Sequence, residues 1–176
     1  MHNFLLTLMF SISFTTQSLQ AREAIETAGD IVVIALPATT YGLSYYIEDD
    51  IGRQQFHYSF ATMLLTTAVL KLSINKSRPD DSNNRSFPSG HSAIAFHSAG
   101  YLRKRYGWKP ALPAFAAASF VGYSRIEAYK HFVEDVIAGA LLGFASAEWF
   151  TSPCSNCQLF AFKKAEFSGL SFKVIY

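Results

Sequence analysis

Charge is scarce in this sequence. Lysine, arginine, aspartate and glutamate together make up 16% of its 176 residues, where a soluble domain carries roughly a quarter. The formal net charge is +2, too small for a surface that binds a polyanion, so no nucleic-acid partner is expected. Cysteine is nearly missing as well. Cys154 and Cys157 are the whole thiol inventory, which excludes a disulfide scaffold. The pair also lacks the two further ligands that a structural zinc requires, and we read it as incidental. Internal repeats, low-complexity tracts and long linkers are absent. The apolar run Phe4 to Phe14 is not preceded by the lysine or arginine that opens a secretory signal.

Half of the chain is hydrophobic. The few charges fall in clumps and leave charge-free stretches at 1–21, 31–47, 54–70, 86–102 and 110–124, with a sixth at 136–150 broken only by Glu148. A helix crosses a bilayer with about 20 apolar residues and needs at least roughly 17. Ser, Thr, Gly and Tyr recur in each stretch, which suits helices packed on one another. The pattern predicts an all-α, six-helix transmembrane bundle, or five helices if the first segment is a cleaved signal peptide. Polar connections are expected at 22–30, 48–53, 75–85, 103–109 and 125–130. Basic residues favour the cytoplasmic side of short loops. With Arg103, Lys104, Arg105 and Lys109 placed inside, the connections 22–30, 75–85 and 125–130 fall outside and the tail falls inside. Lys76, Arg78, Arg85 and Arg125 then run against the rule, unless they hold an anion.

Three clusters border those outside connections. The first is Lys71 followed by Arg78-Pro79, and it offers a point charge and a planar fork for phosphate oxygens. The second, Pro88-Ser89-Gly90-His91, reads as a helix start. Free backbone N–H groups there suit an anion, Gly90 admits it closely, and His91 at the rim can donate a proton. The third is Ser124-Arg125, His131 and Asp135. On a helix, His131 and Asp135 would share a face, and the carboxylate would fix the imidazole tautomer and free the other nitrogen to attack. Each cluster alone reads most simply as an ordinary feature: snorkelling cations, a capped helix, a surface His–Asp pair. Their conjunction in this order points to phosphoryl chemistry.

The ordered set Lys-x6-Arg-Pro, Pro-Ser-Gly-His and Ser-Arg-x5-His-x3-Asp resembles the signature of the type 2 phosphatidic acid phosphatase superfamily, at residues 71–135 and without departure. The resemblance implies that His131 is a nucleophile that becomes phosphohistidine and that Asp135 orients it. His91 would protonate the leaving group and then activate water. Lys71, Arg78, Ser89, Gly90 and Arg125 would hold the phosphoryl oxygens. No metal or other cofactor is implied. The domain plan is then 1–21, signal peptide or first transmembrane helix; 22–150, helical phosphatase domain; and 151–176, a tail on the membrane surface or against the bundle. The expected partners are a lipid phosphomonoester or pyrophosphate and the bilayer itself. The expected place is a bacterial inner membrane with the site facing the periplasm. A phosphotransferase on the same site, a vanadate-dependent haloperoxidase and an idle, non-enzymatic membrane protein are the alternatives. Lys76 and Arg85 would extend the cationic mouth. Asp80, Asp81, Asn83 and Asn84 would solvate a loop, and His57 and His97 would be packed or interfacial.

Overall fold

The computed structural model describes the backbone of residues 2–154, 157–164 and 167–174, with side chains from Leu19 to Cys154 and at Cys157. Five helices are described: α1 (His2–Tyr46), α2 (Asp50–Ser73), α3 (Gly90–Tyr106), α4 (Trp108–Glu127) and α5 (Val133–Phe150). A two-stranded antiparallel hairpin follows, β1 (Cys157–Lys164) and β2 (Phe167–Val174), in the register Cys157↔Val174 to Lys164↔Phe167. The expectation for the tail, a membrane surface or the bundle, concerns side chains outside the described residues.

One sequence expectation is corrected. The stretches 1–21 and 31–47 are not separate helices, because α1 runs unbroken through 22–30. The charges that marked a connection there are helix side chains. Their spacing explains the continuity: Glu26 and Asp30 stand i, i+4 on one face, where cations of other elements meet them. Among the described residues no helix is both long and apolar enough to cross a membrane.

Helix α3 is the centre of the bundle and touches the four other helices. Its sequence explains the position, since Ser92, Ala93, Ala95, Ser98, Ala99 and Gly100 leave it slim enough to be surrounded, and all are buried. Helix α5 comes closest. A Cβ on Gly139 would lie 2.2 Å from the Ser89 carbonyl oxygen, and one on Gly143 would lie 2.1 Å from that of Ala93. This Gly-x-x-x-Gly stripe puts backbone on backbone, and the Ser89 N–H donates to the Asp135 carbonyl at 2.9 Å.

Phe56, Tyr101 and Ala147 form one part of the core, with Tyr101 edge-on to Phe56. His97 is packed, as its lack of motif implied: it is fully buried, and its Nε2 lies 2.8 Å from Ser59 Oγ. His57 lies against the Tyr41 ring. Away from the three clusters, the buried Asp49 carboxylate accepts from Arg105 Nε at 2.7 Å and Nη2 at 2.5 Å, and from Tyr106 Oη at 2.8 Å. Arg105 Nη1 donates to the Ser152 carbonyl at 3.0 Å. This knot ties the α1–α2 turn to the ends of α3 and α5. The two cysteines beside it are joined as a disulfide. Among the described residues, Asp49, Cys154 and Cys157 are the one His, Cys, Asp or Glu group close enough to share a metal, and its two sulfurs are bonded to each other.

Candidate active site

Where α4 ends, Tyr129 adopts a left-handed backbone (φ 55°). The Arg125 carbonyl then accepts from the N–H of Lys130 at 3.0 Å and of His131 at 3.3 Å. A helix stopped by a left-handed residue closes its last carbonyls this way, and here the closure holds Arg125 and His131 close together. Phe132 is the N-cap of α5. His131 therefore lies just before the helix and Asp135 in its first turn, so the two do not share a helical face as the spacing predicted.

The consequence is visible at Asp135, which is fully buried. Its Oδ2 accepts from Ser86 Oγ at 2.5 Å and from the Phe132 N–H at 3.0 Å, the second bond being half of a capping box. Its Oδ1 accepts from Lys76 Nζ at 2.6 Å. His131 Nδ1 lies 3.9 Å from Oδ2, beyond hydrogen-bonding distance. Lys76 thus lies beneath the site, against the Phe132 ring, and does not extend its mouth. Burial works against its charge, yet the hydrogen bonds to Asp135 and Glu134 leave its pKa raised.

A cavity of about 390 Å³ opens between α1 and these loops. Arg78, His91, Arg125 and His131 line it, together with Glu26, Asp30, Val33, Ile34 and Lys130. The remaining residues named from sequence stand behind this wall. Lys71 Nζ donates to the Arg85 carbonyl at 3.1 Å, and its Cε passes 3.8 Å from where a Gly90 Cβ would be. The buried Ser89 hydroxyl caps α3, accepting from Ser92 N at 3.4 Å and Ser92 Oγ at 3.1 Å.

The wall is cationic, and two of its polar atoms have no partner. Arg78 Nε and His131 Nδ1 are both buried and without a hydrogen bond. Burial, with the positive charges of Lys71 and Arg78 beside it, pushes the His131 pKa down to about 4. The imidazole is therefore neutral at ordinary pH.

Arg125 is buried and its donors are engaged. Its Nε donates to Ser124 Oγ at 3.1 Å, Nη2 to the Glu26 carbonyl at 2.8 Å, and Nη1 to Asp30 Oδ1 at 2.8 Å. The same Asp30 oxygen lies 3.0 Å from His91 Nε2. Sequence reasoning missed Asp30 and Glu26, because their segment was read as a connection. Their i, i+4 spacing was the signal available. The polar loop between the first two clusters braces itself: Asn83 Oδ1 accepts from Arg85 N, Asn84 Oδ1 accepts from Ser77 Oγ, and Asp80 meets Lys130 at 3.1 Å.

The buried Arg125, the partly buried Arg78, a neutral His131 and a carboxylate oxygen held between Arg125 and His91 meet at one cavity. The chain belongs to the PAP2 superfamily, whose sequence profile matches residues 54–156. Over 75 residues it is 44% identical to the lipid A 4'-phosphatase of Helicobacter pylori, across 43% of this chain and 38% of that protein. Over 77 residues it is 39% identical to the probable diacylglycerol pyrophosphate phosphatase 1 of Schizosaccharomyces pombe, across 36% of this chain and 28% of that protein. The matched stretches thus cover well under half of these relatives. The crystal structure of Aquifex aeolicus LpxE has the same fold, with a TM-score of 0.58 at 23% identity over 75% of this chain and 93% of that one.

Proposed function

We propose that the protein is a phosphatase that hydrolyses a lipid phosphomonoester or pyrophosphate through a phosphohistidine at His131, without a metal. The observation that carries this reading is the single oxygen seated between Arg125 and His91 at 2.8 and 3.0 Å, the contacts a phosphoryl oxygen would make. The imidazole of His131 attacks phosphorus as the bond to the leaving oxygen breaks, and His91 gives that oxygen a proton. Water, deprotonated by His91, then cleaves the P–N bond and releases phosphate. Arg78, Arg125 and Lys71 offset the developing negative charge. The N–H of Gly90, at the start of α3, completes the cradle, while the Ser89 N–H is held by the Asp135 carbonyl. Asp135 steadies the imidazole, and its 3.9 Å gap closes as the phosphoryl group settles, as catalytic hydrogen bonds often do. The names of the relatives, a lipid A 4'-phosphatase and a diacylglycerol pyrophosphate phosphatase, support a lipid phosphate as the substrate.

Exposed apolar side chains support work at a membrane, with the chain embedded and its site at the periplasmic edge of a bacterial inner membrane. Ile31, Ile34, Leu65, Leu72, Leu112, Leu141 and Trp149 all face outward. The hydroxyls that lower the helices' hydropathy are turned back on their own backbone. Thr62, Thr66 and Thr67 donate to the carbonyls of Tyr58, Thr62 and Met63, each at 2.8 Å. Such bonds let polar side chains sit in lipid.

The test is phosphate release by the detergent-purified chain from phosphatidic acid, phosphatidylglycerol phosphate, undecaprenyl pyrophosphate and lipid A, in excess chelator. Turnover that needs magnesium, or that survives His131→Ala, overturns the mechanism. An added alcohol acceptor distinguishes hydrolysis from transfer.

A further inference from the structure

We propose that Asp30 is a selectivity filter: a tethered carboxylate that holds the phosphoryl-oxygen position in the free enzyme and yields it to dianionic terminal phosphates but not to monoanionic phosphodiesters. The proposal rests on the phosphoryl-site reading above and adds a residue that lies outside the matched stretch 54–156.

The placement of Asp30 is built. A Cβ on Gly29 would lie 2.0 Å from Ser124 Oγ and 2.8 Å from Arg125 Nη2, so α1 touches the end of α4 only because residue 29 is glycine. The Glu26 carbonyl, one turn earlier, fixes Arg125 from the other side. Two of the three Arg125 contacts are therefore permanent parts of the frame: a helix carbonyl and the adjacent Ser124. The third, to the Asp30 carboxylate, is a contact to a side chain about half exposed, at 48%, on the cavity wall. It is the contact a ligand can replace.

Charge decides which ligand does so. Among the charged side chains lining the cavity, the cations Arg78, Arg125 and Lys130 face the carboxylates Glu26 and Asp30. An incoming phosphodiester carries one negative charge, the same as the carboxylate it must displace. It gains no Coulomb advantage and competes with a group already tethered in place. A terminal phosphate carries close to two charges and attracts the same cations more strongly. For a phosphatase facing a membrane made of phosphodiesters, this filter keeps bulk lipid out of the site.

The experiment is titration of the detergent-purified full chain, by calorimetry, with inorganic phosphate and with dimethyl phosphate at about pH 8, where the former is mainly a dianion. Wild type is expected to bind phosphate and to bind dimethyl phosphate far more weakly. Asp30→Asn keeps the shape and removes the charge. It should tighten dimethyl phosphate roughly tenfold or more, into measurable range, and phosphate by at least the same factor, because a competing occupied state taxes every ligand equally. Affinities that do not rise in Asp30→Asn, or parallel weakening of both ions, overturn the filter and leave Asp30 a positioning residue. If wild type and Asp30→Asn take up neither ion, the phosphoryl-site reading itself fails, and the filter with it. If Asp30→Asn does not fold, Asp30→Ser removes the same charge and is read in the same way.

Discussion

His131 and Asp135 approach to 3.9 Å without a hydrogen bond, because the carboxylate is already shared among Lys76, Ser86 and the cap of α5. Asp135 is thus a joint between the loop of the first cluster, the start of α5 and the candidate nucleophile. Asp135→Ala would leave Lys76 and Ser86 without their acceptor and cost on the order of 2–3 kcal/mol, typical for a buried hydrogen-bonded charge. Thermal unfolding in detergent reads this directly. Lys76→Met should lower stability in the same direction, and its effect should largely vanish in the Asp135→Ala background.

His131 gives a pH signature. Its pKa is lowered to about 4, against an ordinary value near 6.5. The unfolded chain therefore binds more protons than the folded one between those two values, so this group's contribution to stability is full above about pH 6.5 and is lost as pH falls toward 4. A pH series of unfolding temperatures should show the decline, and His131→Asn should flatten it. A slope unchanged in His131→Asn would contradict the buried neutral imidazole.

His91 as proton donor predicts a dependence on leaving group. Loss of a general acid costs about 10²–10⁴-fold when the departing oxygen is a poor leaving group. His91→Asn should be crippled on a dialkylglycerol phosphate and much less affected on p-nitrophenyl phosphate, whose phenolate leaves without help. Equal losses on both would assign His91 to binding.

The Gly-x-x-x-Gly stripe predicts opposite signs for similar substitutions. Gly139→Ala and Gly143→Ala would drive a methyl into carbonyl oxygens of α3. Each should destabilise by about 1–3 kcal/mol, as overpacked sites do, and lower turnover by shifting Ser89 relative to His131. Gly42, in α1, has nothing within 4 Å of its added Cβ. Gly42→Ala should stabilise by roughly 0.5–1 kcal/mol through helix propensity alone.

The members of the candidate site were legible in the sequence because the family signature depends on residue type and order. Arg78, His91, Arg125 and His131 line one cavity, and Lys71, Ser89, Gly90 and Asp135 stand directly behind it. The contacts of Asp135 were not legible. Spacing alone could not show that Phe132 caps α5 and leaves His131 outside the helix, or that Lys76 would come from 59 residues away. The continuity of α1 was hidden for a related reason. Arg22, Glu26 and Asp30 look like parts of a polar connection until their partners Glu127, Lys130 and Arg125 are known. The close helix contacts leave a trace only in glycines such as Gly29, Gly139 and Gly143, whose meaning depends on which helix faces them.

Gly29 also bears on maturation. The α1 residues that touch the pocket, Glu26 to Ile34, all lie downstream of Ala21, the end of the segment that resembles a secretory leader. A peptidase cutting there would remove two turns or more of α1 and still leave the Gly29–Arg125 contact, the Glu26 carbonyl and Asp30 in place. Precursor and trimmed forms would then share one anion site, and titration of the two with phosphate should give the same affinity.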